Sequence, residues 1–231
     1  MHVLARLLAV SVLVLTVAAC GGNDDEPAAT ETTAATTTPA TAETTTETRQ
    51  CETVKAPDPK QDGGQTAPTK ELDAAKSYRL EIETSCGAFA ITLDPKRAPK
   101  TAASLVSLAE TGFFDGTTFH RVVPGFVIQG GDPTGTGTGG PGYQTVDPPP
   151  QDATYTKGVV AMAKAGFEKA GTSGSQFFVV TGGDIGLPPD YAIVGEVTEG
   201  LETVLAIDRL GVADGPPSKP VVIEQVSVEE E

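Results

Sequence analysis

The sequence predicts a mainly β domain, a closed eight-stranded antiparallel barrel capped by two α-helices. Three observations support this fold class. Eight short runs have the composition of strands, two segments have helical periodicity, and turns rich in Gly and Pro separate them. The chain of 231 residues contains 26 Gly and 18 Pro, a mixture typical of short strands with many turns, of an unfolded segment, or of both.

Alternation of apolar and polar side chains predicts the first two strands, at residues 78–83 and 89–93, with a turn at Gly87. Asp94 and Pro95 end the second of these runs. The remaining predicted strands are residues 119–123, 126–129, 159–163, 176–180, 193–197 and 221–228.

Two segments repeat their apolar residues every three or four positions, which is typical of an α-helix. The first begins near Ala98, has Pro99 in its first turn and is followed by Gly112. The second covers residues 201–210 and ends before Gly211. We expect both helices to cap the barrel.

Residues 1–20 are typical of an export signal. Arg6 supplies positive charge, an apolar run of eleven residues follows at 7–17, and small residues precede Cys20. Eleven apolar residues are too few to span a bilayer as a helix. The segment resembles a bacterial lipoprotein signal peptide. This implies that Cys20 is lipidated and anchors the protein on the extracytoplasmic side of a bacterial cell membrane; ordinary secretion is the alternative.

Residues 21–75 are predicted to form a disordered tether. The stretch 21–50 is dominated by Thr, Ala, Glu and Pro and has no large apolar side chain. Such a segment cannot bury enough surface to offset the entropy of ordering it. The folded domain is therefore predicted to cover residues 76–229.

Charge and cysteine content narrow the class of protein. The formal net charge of −15 disfavours nucleic acid as a partner, because the two polyanions would repel each other. The two His and three Cys residues lack metal-ligand spacing, so no metal site is expected. Export would place Cys51 and Cys86 in an oxidising compartment, where we expect a disulfide between them; two free thiols are the alternative. Nothing in the sequence demands more than a monomer.

The most informative stretch is FHRVVPGFVIQGGD, at residues 119–132. It predicts two strands joined at Pro124 and Gly125, with Arg121 and Gln129 in otherwise apolar runs. An unpaired buried charge is costly, so Arg121 needs partners, and Gln129 could hold its guanidinium. From these residues alone, a structural arginine on a strand face is as good an interpretation as a functional one.

This stretch resembles the central motif of the cyclophilin family, FHR followed by PGF and QGGD. Further matches follow in the family's order: GTGG at 137–140, AMAKA at 161–165, SQFF at 175–178 and IVGEV at 193–197. The resemblance covers about residues 77–228. It implies a cyclophilin-like barrel with peptidyl-prolyl cis-trans isomerase (rotamase) activity on proline-containing segments of exported proteins, without a cofactor.

The resemblance also implies roles for the matching residues. Arg121 corresponds to the catalytic arginine, Gln129 to the residue that orients it, and Phe126 to the floor of the proline pocket. The other residues expected to bind the substrate are Val127, Ala163, Lys164, Gln176, Phe178, Leu187 and Tyr191. Lys164 and Tyr191 stand where the family usually has Asn and His. These departures leave open a module that binds proline-containing peptides with little catalysis, or a chaperone surface.

Overall fold

The computed structural model describes residues 50–231. The predicted signal peptide at 1–20, with Cys20, and residues 21–49 of the predicted tether lie outside the described residues. The strands are β1 (Tyr78–Thr84), β2 (Gly87–Leu93), β3 (Thr117–Thr118), β4 (Arg121–Val123), β5 (Val127–Gly130), β6 (Thr145–Val146), β7 (Val159–Met162), β8 (Thr172–Ser173), β9 (Phe177–Val180), β10 (Ile193–Glu199) and β11 (Val222–Glu230). The helices are α1 (Pro99–Glu110) and α2 (Leu201–Asp208).

Nine strands form one curled antiparallel sheet in the order β3-β11-β1-β2-β10-β7-β9-β5-β4, and β6 pairs with β8. The mainly β, cyclophilin-like fold with two helices is confirmed. The closed eight-stranded barrel is not confirmed, because the ladder described for residues 50–231 has nine strands and ends in β3 and β4. β3 has only two residues, and on its far side one of them, Thr118, makes a single bridge to Asp132 instead of a further ladder.

The main core lies on the inner face of the curled sheet. Alternation turns Leu80 and Ile82 of β1 inward, where they are 3% and 2% exposed. Phe119 packs edge-to-face on Phe177, with ring centroids 6.1 Å apart, and the ring centroid of Phe89 lies 6.3 Å from that of Phe119. Each such side chain contributes about 1.5–3 kcal/mol by leaving water.

The two helices close over this core as the periodicity predicts. α1 buries Ala102, Leu105 and Leu108. Its first turn has no cap of its own; instead, the distant Asp147 carboxylate accepts hydrogen bonds from Thr101, at 2.7 Å from the backbone N and 2.6 Å from Oγ1. α2 ends at Asp208, two residues before its predicted end, because Leu210 N and Gly211 N bond to the carbonyls three residues back instead of four.

Three strands are apolar on both faces. In β7 and β9 every residue is buried, and β5 has the same character at Val127 and Ile128. One face of these strands packs into the main core, while the other carries a second apolar cluster. The continuous apolar runs therefore identify the three strands whose outer face is also covered, by the second apolar cluster.

The predicted boundary of the folded domain near residue 76 is too late. From Cys51 onward the chain lies on the domain: Glu52 N donates to Ser85 O at 2.7 Å, and Gly63 N donates to Gly140 O at 2.9 Å. This segment lacks strand or helix periodicity because hydrogen bonds to loops, and not burial of a regular apolar face, hold it in place. The tether prediction therefore fails for the contacting residues 51–66.

Candidate active site

The register of four strands places two of the predicted catalytic residues, Arg121 and Gln129, in one row. The paired positions are Arg121 of β4, Gln129 of β5, Phe178 of β9 and Ala161 of β7. Paired residues of neighbouring strands point to the same face of a sheet. A cation, an amide and an aromatic ring therefore lie side by side on the outer face.

The Arg121 side chain is 31% exposed, and its guanidinium has partners on two sides. Nε donates to Asp214 Oδ1 at 2.6 Å, Nη2 donates to Asp214 Oδ2 at 3.0 Å, and Nη1 donates to Gln129 Oε1 at 3.3 Å. The hydrogen bonds from Arg121 hold the pKa of Asp214 below its usual value. A guanidinium has five N–H groups. Three are used, so two remain available to a ligand.

A chain of side-chain amides continues from Arg121. Gln129 Nε2 donates to Gln176 Oε1 at 3.0 Å, and Gln176 Nε2 donates to the Gly139 carbonyl at 2.9 Å. Ala163 N donates to Gln176 O at 2.9 Å, which places Ala163 beside this chain. Each amide thereby has a fixed orientation. The structure thus brings Arg121, Gln129, Gln176 and Ala163 together.

The predicted proline pocket belongs to the second apolar cluster, which we call the outer cluster. Its buried members are Val127, Tyr155, Val159, Ala161, Phe178, Val180 and Ile193, and its partly buried members include Phe126, Ala163, Ile185, Leu187 and Tyr191. The ring centroids of Phe178 and Tyr191 are 5.6 Å apart in an edge-to-face arrangement. All of the apolar residues predicted for the site therefore meet in one cluster that has an exposed side.

Sequence reasoning missed Tyr155, which holds this cluster together. Its ring is fully buried, its hydroxyl donates to Tyr191 O at 2.7 Å, and it accepts from Tyr191 N at 3.0 Å. Burial raises the pKa of Tyr155, so it is a neutral phenol at physiological pH. A lone tyrosine between Ala153 and Lys157 gives no periodic signal that could have identified it.

Asp214 and Asp208 were also missed. Asp208 Oδ1 accepts from Gly125 N at 3.1 Å and from Thr181 Oγ1 at 2.7 Å, which fixes the turn between β4 and β5. Both aspartates lie more than eighty positions after Arg121 in the chain. Only the tertiary fold brings them to the site, so no local pattern could have revealed them.

Lys164 does not extend into an open groove. Its side chain is 1% exposed, and Nζ binds Asp190 Oδ2 at 2.7 Å and the Glu168 carbonyl at 3.1 Å. The same ammonium lies 5.6 Å from the centroid of the Tyr191 ring. The two departures from the family pattern, Lys164 and Tyr191, thus contact each other. Only the backbone of Lys164 is left to contact a ligand.

His120 and Asp132 are ionisable residues that both lie next to Gly137 in the glycine-rich loop after β5. Neither ring nitrogen of His120 has a hydrogen-bond partner among the described residues, and burial lowers its pKa, partly opposed by the charge of Asp132. Asp132 is fully buried and accepts hydrogen bonds from Thr134 N at 2.7 Å and Gly137 N at 2.5 Å. Burial alone would raise the pKa of Asp132, but its hydrogen bonds outweigh burial and lower it.

Cys51 and Cys86 are joined by a disulfide, with Cα atoms 3.9 Å apart. This is the pairing that the sequence analysis expects. Within residues 50–231, neither helix is long and apolar enough to cross a membrane.

The fold and this site define a protein class: a cyclophilin-like domain with an arginine beside an apolar pocket. Comparison with known proteins gives the same class. The family model described as "Cyclophilin type peptidyl-prolyl cis-trans isomerase/CLD" matches residues 79–228. Peptidyl-prolyl cis-trans isomerase A of Mycobacterium tuberculosis is 41% identical over 167 residues, which cover 64% of this chain and 90% of that protein. Peptidyl-prolyl cis-trans isomerase B of Bacillus subtilis is 49% identical over 111 residues, covering 48% of this chain and 76% of that protein.

Solved structures give the same result. A cyclophilin-type isomerase of Cryptosporidium parvum, crystallised in the presence of the dipeptide Ala-Pro, superimposes with a TM-score of 0.60 and 30% identity. The match covers 65% of this chain and 98% of that one. The chain belongs to the cyclophilin-type peptidyl-prolyl cis-trans isomerase family, and it is an isomerase of that class.

Proposed function

We propose that this isomerase accelerates the folding of exported proteins by stabilising the twisted amide of X-Pro bonds, with Arg121 as the catalytic residue. One observation carries the proposal. The guanidinium of Arg121 has two N–H groups left over and stands in the same ladder row as Phe178 of the outer cluster. A cation and an apolar surface are therefore presented side by side to a single peptide.

The chemistry of the reaction suits these groups. Rotation about an X-Pro amide breaks no covalent bond, but loss of resonance imposes a barrier of roughly 18–20 kcal/mol. As the amide twists, the lone pair of the proline nitrogen becomes localised and can accept a hydrogen bond. A donor placed at that nitrogen, or at the adjacent carbonyl, binds the twisted state more tightly than either planar state, and this lowers the barrier.

Arginine fits this role because its guanidinium stays charged and presents several donors in a rigid fork. Gln129 Oε1 and the Asp214 carboxylate bind three of these donors, which restricts rotation of the group. Since the fork is already oriented, little entropy is lost when the substrate binds. Gln129 is thus assigned the orienting role, and no nucleophile, metal or cofactor takes part in the step.

The outer cluster is assigned to the substrate. Phe126, Val127, Phe178 and Leu187 would hold the proline ring while the remainder of the peptide rotates. Ala163, Gln176 and the backbone of Lys164 would line the groove for the preceding residues, with Tyr191 at the margin of the pocket. The Ala-Pro dipeptide present with the Cryptosporidium relative supports a substrate with a small residue before proline.

We also propose an extracytoplasmic location. An export signal at 1–20 would leave Cys20 lipidated, so that a monomeric domain is held at a bacterial cell membrane. The disulfide between Cys51 and Cys86 supports this location, since such bonds persist in oxidising compartments. Mass spectrometry of the native protein tests it. A chain that begins at a diacylglyceryl-modified Cys20 is expected, and an unmodified Cys20 would contradict the anchor.

The function is tested by exchange NMR with the full chain and an Ala-Pro-containing peptide. We expect the cis and trans forms to exchange within seconds or less, against tens to hundreds of seconds without protein. Shifts of the peptide signals without exchange would instead indicate a binding module. Suppression of aggregation of a proline-free client, without either effect, would indicate a chaperone surface.

A further inference from the structure

Residues 51–66 form an extended segment, here called the strap, that precedes the part matched by the family model. The strap runs along the glycine-rich loop at 132–142, here called the groove loop. Lys60 N donates to Pro133 O at 2.8 Å, and Gln65 N donates to Pro141 O at 3.0 Å. Asp62 Oδ1 accepts a hydrogen bond from Gly140 N at 2.8 Å. The strap therefore binds the groove loop along most of its length.

The strap itself is fixed to the domain at two other points. Its first residue, Cys51, forms the disulfide with Cys86, and its carbonyl accepts a hydrogen bond from Lys219. Further along, the ammonium of Lys60 donates to three carbonyls of the loop that follows α1. These are Gly112 O at 3.1 Å, Phe113 O at 2.6 Å and Asp115 O at 2.9 Å. Three hydrogen bonds from one charged donor fix the strap to this loop.

The groove loop needs such support. Five of its eleven residues are glycine, which carries the largest conformational freedom of any residue. Where loop and strap meet, a Cβ on Gly142 would lie 3.1 Å from Gly63 Cα and 3.1 Å from Gly64 N, and Gly142 has φ +91°. The backbones thus touch at a point where any larger residue would be strained and crowded. The groove loop therefore packs against the strap at Gly142 and bonds to the Asp132 carboxylate at Gly137.

A short series of hydrogen bonds leads from this contact to Arg121. Asp62 holds Gly140, the neighbouring Gly139 carbonyl accepts from Gln176 Nε2, and Gln176 Oε1 accepts from Gln129 Nε2. Gln129 in turn binds Nη1 of the guanidinium. The strap therefore contacts the backbone that orients both side-chain amides beside the reacting cation.

We infer that the strap is a positioning element of the active site, with Asp62 as its principal positioning residue. By fixing the peptide between Gly139 and Gly140, it sets the direction of the Gly139 carbonyl and hence the rotamers of Gln176 and Gln129. The disulfide keeps the strap in place, so that reducing conditions would weaken the site. This inference rests on the isomerase function proposed above.

Asp62 substitutions in the full chain test the inference. Asp62→Ala removes the acceptor for Gly140 N–H and is expected to lower kcat/KM about five-fold, the order of effect of one ordinary hydrogen bond, because Asp62 is exposed to solvent. The loss should fall on kcat, because the apolar pocket for proline is unchanged. Asp62→Asn retains a carbonyl oxygen and should restore most of the activity. Asp58→Asn is the matched control, since Asp58 is exposed and makes no hydrogen bond within residues 50–231.

A second readout does not depend on activity. In a 15N correlation spectrum, the side-chain amide signals of Gln176 and Gln129 should move in Asp62→Ala and stay in place in Asp58→Asn. If the wild-type chain isomerises no peptide, the proposed function fails, yet these signals still test the strap. The inference is overturned if Asp62→Ala leaves both kcat/KM within two-fold and the amide signals unmoved.

Replacing both cysteines by serine tests the anchor at the other end of the strap. We expect the same signals to move and kcat to fall by about two- to five-fold, with Asp62→Ala adding little in this background. If the effects of the two changes on kcat were additive, the disulfide and Asp62 would not act through the same contact of the strap with the groove loop. Lys60→Met, with the exposed Lys55→Met as its control, gives the same test if the cysteine variant does not fold.

Discussion

The carboxylate of Asp214 binds one edge of the Arg121 guanidinium through two hydrogen bonds, of 2.6 Å at Nε and 3.0 Å at Nη2. Asp214 lies in the loop after α2, where Val122 N donates to the adjacent Gly215 O at 2.7 Å. This backbone hydrogen bond fixes the distance between β4 and the loop. It thereby keeps the Asp214 carboxylate within reach of the Arg121 guanidinium. The Nη1 edge is left for Gln129 and the substrate.

Loss of Asp214 should lower the turnover number and leave binding nearly unchanged. Asp214→Ala frees the guanidinium to adopt other rotamers, and we expect kcat to fall about two- to five-fold, a modest effect because the pair is exposed and screened. Asp214→Asn keeps one acceptor oxygen, so its kcat should lie between those of Asp214→Ala and the wild type. Steady-state kinetics separates kcat from KM. A rise in kcat would mean that the carboxylate opposes Arg121, and the exposed Asp152→Ala serves as control.

Lys164 should contribute to stability more than to catalysis. Lys164→Met keeps the apolar stem but leaves Asp190 and the Glu168 carbonyl without the ammonium. We expect the free energy of unfolding to fall by about 1–3 kcal/mol, as for other buried polar partners left unpaired. Denaturant unfolding measures it, with the exposed Lys169→Met as control. An unchanged midpoint for Lys164→Met would show that the ammonium only fills space.

His120 should make stability depend on pH in the weakly acidic range. Burial keeps its pKa below the unfolded value of 6.5, so below that pH the unfolded chain binds a proton more readily than the folded one. The free energy of unfolding should therefore decrease as pH falls from 7 through about 6.5, until the folded pKa is reached. His120→Gln should remove this part of the pH dependence. If the free energy of unfolding of the two proteins changes with pH in the same way between about pH 5 and 8, His120 is not the source of this pH dependence.

The disulfide should stabilise the domain chiefly by restricting the unfolded chain. It closes a separation of 35 residues, for which the chain-entropy estimate is about 3–4 kcal/mol. We expect dithiothreitol to lower the free energy of unfolding of the wild type by this order. The protein in which Cys51 and Cys86 are both serine should be indifferent to the reductant. A wild type that is equally indifferent would mean that the strap is held by its other contacts.

Much of the site follows from local patterns in the sequence. The turn at Pro124 and Gly125 makes β4 and β5 neighbours, so that Arg121 and Gln129 are paired as the alternation requires. The apolar run around Phe178 predicts a strand, which the structure has as β9, and one face of β9 contributes Phe178 and Val180 to the outer cluster. The hairpin of β4 and β5 and the strand β9 depend on residues close together in the chain, so local composition and apolar periodicity predict them.

Other parts depend on contacts between distant segments. Asp214 and Tyr155 have no periodic neighbours, and each acquires its role only when a remote loop folds onto the sheet. The strap was included in the predicted tether, for which the composition of residues 21–50 was the argument, whereas Lys60 and Asp62 fix it through hydrogen bonds to backbone groups. Closure of the barrel was overestimated because β3 has only two residues and a single bridge, from Thr118 to Asp132, continues from it.

The central claim is that the Arg121 guanidinium stabilises the twisted amide, and one measurement tests it most directly. Catalysed exchange of a proline peptide is compared for wild type, Arg121→Ala and Arg121→Lys, with the exposed Arg209→Ala as control. We predict that Arg121→Ala lowers kcat/KM by roughly 10²- to 10³-fold while the peptide still binds, and that lysine, which lacks the fork, restores little. Turnover by Arg121→Ala within two-fold of the wild type would contradict the account.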